Sequence, residues 1–547
     1  MRIFSLEAIS KIQFSILRCV RFAHLLRMNK EPVHPEQSRR SRERRRANGA
    51  AFLRSHLITK SLLTLLISLC ATEIGLAQGF GKPLAFQGLD HMTAQSAGSR
   101  AYGGITVGSQ GDIGLMFANP ASLQGLTDLQ ISVGGLRQTS ETKQVQQYGP
   151  LNYYTNFSLL MEGLTGLIQD PRYDTSVHSY NAGDTIQRPF DNIGPNWSRS
   201  KAKNMPMQIF AAMPFSVSDV KFSAGLGAIQ YANLDWYFQN NNVLSPSILS
   251  VDPFTTPIPK NNTDSAAFPV QWYQYYQRRT GSIYGYGGAL SASVSEKIAL
   301  GISAMILKGN SDDKESRMER GRLRFYQSYF RLEPVSYHVV STGTSDFSGV
   351  EITVSGSVNT KYLGIGFSIK PPTTITRKYS GQTQLDTTGA SRSTSYSGEE
   401  KMVIPLRGSA GASITLRENL KLGMEYEMHP YSSAEYQSSN GSKSNPWLSS
   451  NLFHVGVEYS PMLWLTLRGG AREMAEVFEP VGNPLGGDPV SYTAFTFGAG
   501  VKFDNMRFNV AYEYATIKYV DEWAGALSIN TQTPQSIVAD ITYEIPW

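Results

Sequence analysis

The side chains able to do covalent or metal chemistry are few and scattered. Beyond residue 77 the histidines are His91, His178, His338, His429 and His454. No His-Glu-x-x-His places two imidazoles on one helix face for zinc, no Gly-x-Ser-x-Gly presents a nucleophile, and no glycine-rich loop ends in Lys-Ser/Thr to cradle phosphate. His429 and His454 face each other across one connection, but two imidazoles do not make a site. The two cysteines, Cys19 and Cys70, both precede residue 77, so no disulfide or thiolate metal site is expected after it. The Gly-x-Gly pairs at 225/227, 285/287, 364/366 and 498/500 lie in alternating segments and read as small strand positions. Neither catalysis, nor a metal, nor a cofactor is expected.

The remaining chemistry is apolar. Phe157, Leu160, Met161, Leu164, Leu167 and Ile168 recur at roughly helical spacing in a polar connection, 139–205. Trp236, Tyr237, Phe238, Trp272, Tyr273, Tyr275 and Tyr276 crowd another, 231–281. Such clusters on loops can collect a greasy ligand. Loops packing on each other, or rings forming an interfacial girdle, explain them as well. The first stretch stays open between these readings; for the rings, packing is favoured.

The elements that must position these groups have period two. Leu420, Leu422, Met424, Tyr426 and Met428 alternate with Lys421, Gly423, Glu425 and Glu427. On a strand the two sets face opposite sides. The same pattern recurs at Ile298–Ile306, Leu363–Ile369, Phe453–Tyr459, Phe495–Phe503 and Phe508–Tyr514. Tight turns fall at Ser218-Asp219, Glu296-Lys297, Glu418-Asn419, Ser460-Pro461 and Asp504-Asn505. Between them lie long polar stretches, including 309–321, 371–401, 430–450, 473–491 and 515–535. Short turns at one end and long loops at the other are the asymmetry of outer-membrane barrels. The expected fold is all-β: a transmembrane antiparallel β-barrel of about 14 strands, up to 16, with 322–358 hardest to divide. Past the leader no run of 18 apolar residues is present to make a helical span.

The formal charge of +6 has an uneven source. Residues 1–77 hold 14 basic and 5 acidic side chains, leaving 36 and 39 for the rest, a net of −3. The basic balance belongs to the leader, and no nucleic-acid partner is expected. Within it, Lys60 precedes the apolar run Leu62–Leu69, and Gly75-Leu76-Ala77 follows, the order of a secretory signal. Cleavage is expected between Ala77 and Gln78, and the length of 1–55 for a signal's basic region points to a true start further downstream, at Met28 or later. At the other end Ala539, Ile541, Tyr543, Ile545 and Trp547 alternate with Val538, Asp540, Thr542, Glu544 and Pro546. A last strand ending in an aromatic resembles the signal read by the barrel-assembly machinery, an expected partner alongside outer-membrane lipid.

Between leader and first strand lie Ser99-Arg100-Ala101-Tyr102-Gly103-Gly104 and Asn119-Pro120-Ala121. Here the chain resembles the FadL family of outer-membrane transporters for long-chain fatty acids and other hydrophobic compounds, including its TodX-type members. That family carries a small-residue stretch with Arg and paired glycines, then Asn-Pro-Ala, just before strand one. Tyr102 and Ser122 depart from it, standing where the family often has smaller residues. Lys361–Pro372 is similar to the family's mid-barrel strand end. The resemblance implies a leader over 1–77, a lumen-plugging hatch over 78–126 and a 14-stranded barrel over 127–547. It makes Arg100, Gly103, Gly104, Asn119, Pro120 and Ala121 the hatch motif. It also implies capture of a hydrophobic small-molecule ligand by outer loops and sideways exit through the wall, in the outer membrane of a Gram-negative-type bacterium. The alternative function is a FadL-like barrel that binds protein as an attachment or shuttle factor in secretion, as PorV-type barrels do.

Overall fold

A computed structural model describes residues 95–147, 161, 164, 192–245, 259–477, 490–523 and 526–546. The Ala77-Gln78 cleavage site and Trp547 lie outside them. In chain order the strands begin β1 (Leu129–Gln147), β2 (Trp197–Val217), β3 (Val220–Asn233), β4 (Trp236–Ser245), β5 (Phe268–Ser293), β6 (Ile298–Phe325) and β7 (Phe330–Glu333). Next come β8 (Tyr337–Asn359), β9 (Leu363–Lys370), β10 (Thr373–Thr387), β11 (Ala390–Ile404), β12 (Arg407–Arg417), β13 (Leu420–His429), β14 (Glu435–Gln437) and β15 (Lys443–Ser444). The last are β16 (Ser450–Met462), β17 (Leu465–Ala475), β18 (Ser491–Phe503), β19 (Met506–Ala515), β20 (Ile517–Trp523) and β21 (Ala526–Ile545).

Among the described residues, fourteen of these strands form a closed antiparallel wall. The order is β1, β2, β3, β5, β6, β8, β9, β12, β13, β16, β17, β18, β19 and β21, and β21 pairs back onto β1 from Leu129↔Ile545 to Gln147↔Leu527. Closure pairs the backbone groups that lipid cannot solvate. The alternation sets each strand's faces. On β13, Met424 and Tyr426 are exposed while Glu425 is buried at 1%. Outward Ile209, Leu226, Ile302, Val350, Ile365, Val455, Phe497 and Ile541 continue the apolar band around the barrel. A lysine or arginine at mid-depth on that face would cost roughly 2–4 kcal/mol.

The short turns follow the reading from sequence, with one displacement. Ser218 and Asp504 take left-handed backbone angles, φ 54° and 51°, at the first turn position, where Asp and other small polar residues are tolerated best. The turn placed at Ser460-Pro461 instead falls at Leu463-Trp464, because β16 continues to Met462 through an irregularity between Tyr459 and Met462 that absorbs Pro461. The stretch 309–321 is strand rather than loop. There β6 pairs with β5 to Phe325 and with β8 to Glu319, β7 taking over from Arg322, and its polar inner side chains find partners such as Arg279 for Asp313 at 2.8 Å. Most of 515–535 is likewise strand, in β20 and β21.

Prolines interrupt three neighbouring strands at one height. Pro371-Pro372 separates β9 from β10, Pro405 lies between β11 and β12, and Pro430 follows β13. The register passes across the gap unchanged, with Lys370↔Arg407 below and Thr373↔Ile404 above. Proline lacks the N–H the ladder needs, so each interruption follows from the sequence. The Lys361–Pro372 segment is thus a turn, β9 and this break.

Residues 95–126 fill the lumen. They form helix α1 (Ala97–Ala101) and two 3-10 turns, Ile113–Leu115 and Pro120–Gly125. Ile113, Met116, Phe117, Leu123 and Leu126 pack in one cluster with wall residues including Phe210, Ile229, Ile283, Met305 and Leu307.

Candidate functional site

The glycines of the lumen segment allow backbone to touch backbone. Gly103, at φ +75°, sits so close to the Val455 carbonyl that a Cβ would collide with it. On the wall, Gly301 faces the Ala121 amide with no room for a side chain. A larger residue at either place would push plug and wall apart.

Polar seats fix the segment. Wall hydroxyls hold the Asn-Pro-Ala region: Thr353 Oγ1 donates to the Phe117 carbonyl at 3.0 Å and Ser368 Oγ to the Ala118 carbonyl at 2.7 Å. The Ala121 amide donates to Ser355 Oγ at 2.9 Å. Pro120 begins the 3-10 turn, where a missing N–H costs nothing. Asn119 makes no side-chain cap on that turn; its Nδ2 donates instead to the Thr106 carbonyl at 2.9 Å. Arg100 pairs with Glu513 at 3.3 Å, and Arg472 pairs with the same carboxylate. Gly104 lies against Arg472, whose Nη1 donates to Gln95 at 2.9 Å. All six hatch-motif residues therefore sit in the lumen, but they split between two groups of contacts.

On the outer side of Arg100 lies a central cavity of about 260 Å³. Leu136, Trp236, Tyr237, Met474, Tyr492, Ile517 and Tyr519 give it an apolar lining. Five cations, Arg100, Arg199, Lys201, Lys203 and Arg472, face three carboxylates, Asp235, Glu476 and Glu513. Lys201 and Lys203 share Asp235 at 2.6 and 3.1 Å, and Arg199 lies 3.8 Å over the Tyr237 ring. The cavity therefore carries two more cationic than anionic side chains, inside walls that can hold hydrocarbon.

Leu136 borders a second space. A groove of about 550 Å³ on the wall is lined by Gly135, Leu136, Arg137, Asn204, Met205, Pro206, Ile537 and Ala539. There the β1–β2 register slips between Gly134 and Gly135, which pair with Gln208 and Pro206 and leave Met207 without a partner. Leu136 lines both the cavity and this groove.

Of the capture loop read from sequence, Phe157, Leu160, Leu167 and Ile168 lie outside the described residues. Met161 and Leu164 are buried in a cluster with Phe238, Trp272, Tyr273, Tyr275, Phe325, Ile517 and Tyr519. These two residues and the rings of 231–281 thus pack on each other. Ile517 and Tyr519 belong to both cluster and cavity lining. His429 and His454 do line one smaller cavity, of about 150 Å³, with Glu427 3.3 Å from His429. Sequence reasoning missed the cationic ladder because 139–205 reads as polar loop. The alternation Arg199-Ser-Lys201-Ala-Lys203 was the available signal, since it puts three basic residues on one strand face.

No protein-family model matches the sequence, and no curated protein matches it. Among solved structures the chain is similar to a Pseudomonas aeruginosa FadL homologue, at 14% identity over 83% of this chain and 99% of that one, with a TM-score of 0.54. It is also similar to the Ralstonia pickettii toluene transporter TbuX, at 15% identity over 84% and 100% of the two chains, TM-score 0.47. The P. putida toluene transporter TodX gives 13%, 83% and 100%, TM-score 0.46. Such identities speak to fold alone. The protein is a plugged transmembrane β-barrel. Its architecture is that of the FadL homologue.

Proposed function

We propose that this barrel lies in the outer membrane of a Gram-negative-type bacterium and carries hydrophobic small molecules inward, with long-chain fatty acids preferred over neutral aromatic hydrocarbons. The observation that supports this reading is the central cavity: an apolar lining, an excess of cationic side chains, and a plug beneath. A carboxylate head placed among Arg199, Lys201 and Lys203 gains charge-assisted hydrogen bonds while its chain lies against Leu136, Met474 and Ile517. Toluene offers those cations only its ring face, a weaker partner than a carboxylate and a poor offset for lost hydration.

The exit we propose is sideways. Leu136 is the side chain shared by cavity and outer groove, and the β1–β2 register slips beside it at Gly135 and Pro206. A hydrophobic molecule leaving there enters lipid without crossing the aqueous periplasm. The hatch motif acts as the seat of the plug that closes the axial path. No observation favours the protein-binding alternative.

Binding of oleate and of toluene to the detergent-solubilised protein tests the reading. Oleate is expected to bind saturably and more tightly than toluene. Equal or stronger binding of toluene would overturn the preference, and binding of neither would overturn the transport reading.

A further inference from the structure

The plug is one segment, but its two parts are held by different chemistry. From α1 to Val107, three carboxylates hold it, together with one hydroxyl, Thr496 Oγ1, which accepts from the Gly103 amide at 3.1 Å. The Ala97 amide donates to Asp540 Oδ2 at 2.8 Å, and Arg100 pairs with Glu513. The strongest seat is Glu425 on β13, which accepts from the Thr106 amide, from Thr106 Oγ1 at 2.8 Å and from the Val107 amide at 2.9 Å. Among the described residues no cation pairs with Glu425, so the plug itself supplies the donors that its buried charge needs.

From Gly108 onward every wall partner is neutral. Ser413, Thr353, Ser368, Ser355 and Ser291 provide hydroxyls, and the rest of the hold is apolar packing around Met116 and Phe117. Two glycines with left-handed angles, Gly108 at φ +71° and Gly111 at +74°, stand at the boundary. Two hydrogen bonds within the plug tie the parts: Ser96 Oγ to Asp112 at 2.6 Å and Asn119 to Thr106.

We propose that the plug opens in two parts: residues 97–107 stay anchored by Glu425, Asp540 and Glu513, and residues 108–125 move about the Gly108–Gly111 boundary. This deepens the transport reading and rests on it for the stimulus. A hydrophobic ligand can replace the packing of Met116 and Phe117 but not the acceptors that Glu425 gives to backbone amides. The ligand's head meets the anchored part only at Arg100, among the cavity cations, and leaves the Glu425 and Asp540 seats untouched, so loosening by its apolar chain falls on the second part. The cluster that holds this part includes Tyr231, Ala232 and Leu234, next to cavity-lining Asn233 and Asp235. Glu425 is a positioning residue in this scheme, since it sets where motion stops.

Hydrogen exchange of the ligand-free barrel tests the division without any substrate. The amides of Ala97, Thr106 and Val107, which donate to carboxylates, are expected to exchange about tenfold more slowly than that of Ala121, which donates to a serine hydroxyl, because charge-assisted bonds are roughly twice as strong as neutral ones. Glu425→Ala is expected to remove the protection of Thr106 and Val107 and leave Ala121 and Ser122 unchanged. Glu425→Gln, which keeps the shape and an acceptor oxygen, should give a smaller loss at the same two amides. Equal exchange across both parts, or loosening of both together in either variant, would overturn the proposal. Boiling-dependent gel mobility verifies that each variant still forms a closed barrel. Oleate added to the wild type should speed exchange only in 112–125. Acceleration of both parts would overturn the division, whereas failure of oleate to bind at all would count against the transport reading and leave the ligand-free result to judge the two-part plug.

Discussion

Asn119 Nδ2 lies 2.9 Å from the carbonyl of Thr106, a bond that ties the Asn-Pro-Ala turn to the carboxylate-held part of the plug rather than capping the turn itself. Both residues are buried, so the bond is not exchanged for one with water when the plug is seated.

Asn119→Ala should therefore loosen the plug without harming the barrel. Losing one buried hydrogen bond and stranding a carbonyl costs about 1–3 kcal/mol. Exchange at 118–125 should rise, with gel mobility and β content unchanged. Unchanged exchange there would show that the bond does not hold the turn.

Gly103→Ala strikes the anchored part instead. It adds a Cβ against the Val455 carbonyl and puts a side chain at φ +75°. The plug should lift from β16 and β17, seen as faster exchange at Gly103 and Gly104. Gly301→Ala should do the same at Ala121. If either variant keeps wild-type exchange at its own site, the close packing described for that glycine is wrong.

The cationic ladder predicts a split between ligands. Lys201→Gln with Lys203→Gln leaves Asp235 near the head site and removes two positive charges. Affinity for oleate should fall at least about tenfold, the size of one lost charge-assisted bond. Affinity for toluene should change little. Titration by intrinsic tryptophan fluorescence or calorimetry checks both arms.

Leu136→Trp should close the proposed side exit. The added volume sits between cavity and groove, where the register slips at Gly135 and Pro206. Uptake should drop severalfold while binding in the cavity persists. Loss of binding together with uptake would place Leu136 in the ligand seat instead of the exit.

Much of the barrel was legible because lipid imposes a strict rule on strand faces. Leu422, Met424 and Tyr426 read as outward residues from spacing alone, and they are. Glu425 read correctly as lying on the opposite face, but nothing local says that it takes three donors from a segment more than 300 residues away. The rims were harder. Polar runs such as 309–321 looked like loop because the outward apolar set stops where the lipid stops, while hydrogen bonding carries β6 on to Phe325. Asn119 was legible as part of the hatch motif but not in its partner, since a side chain able to cap a turn can as readily reach a carbonyl across it.

The central claim is inward passage of a hydrophobic acid, and uptake of radiolabelled oleate by whole cells measures it most directly. Cells making the wild-type barrel should take up oleate saturably and faster than cells lacking it, with the Lys201→Gln, Lys203→Gln variant slower at low concentration. A correctly assembled wild-type barrel that leaves oleate uptake at the level of cells lacking it would contradict the account.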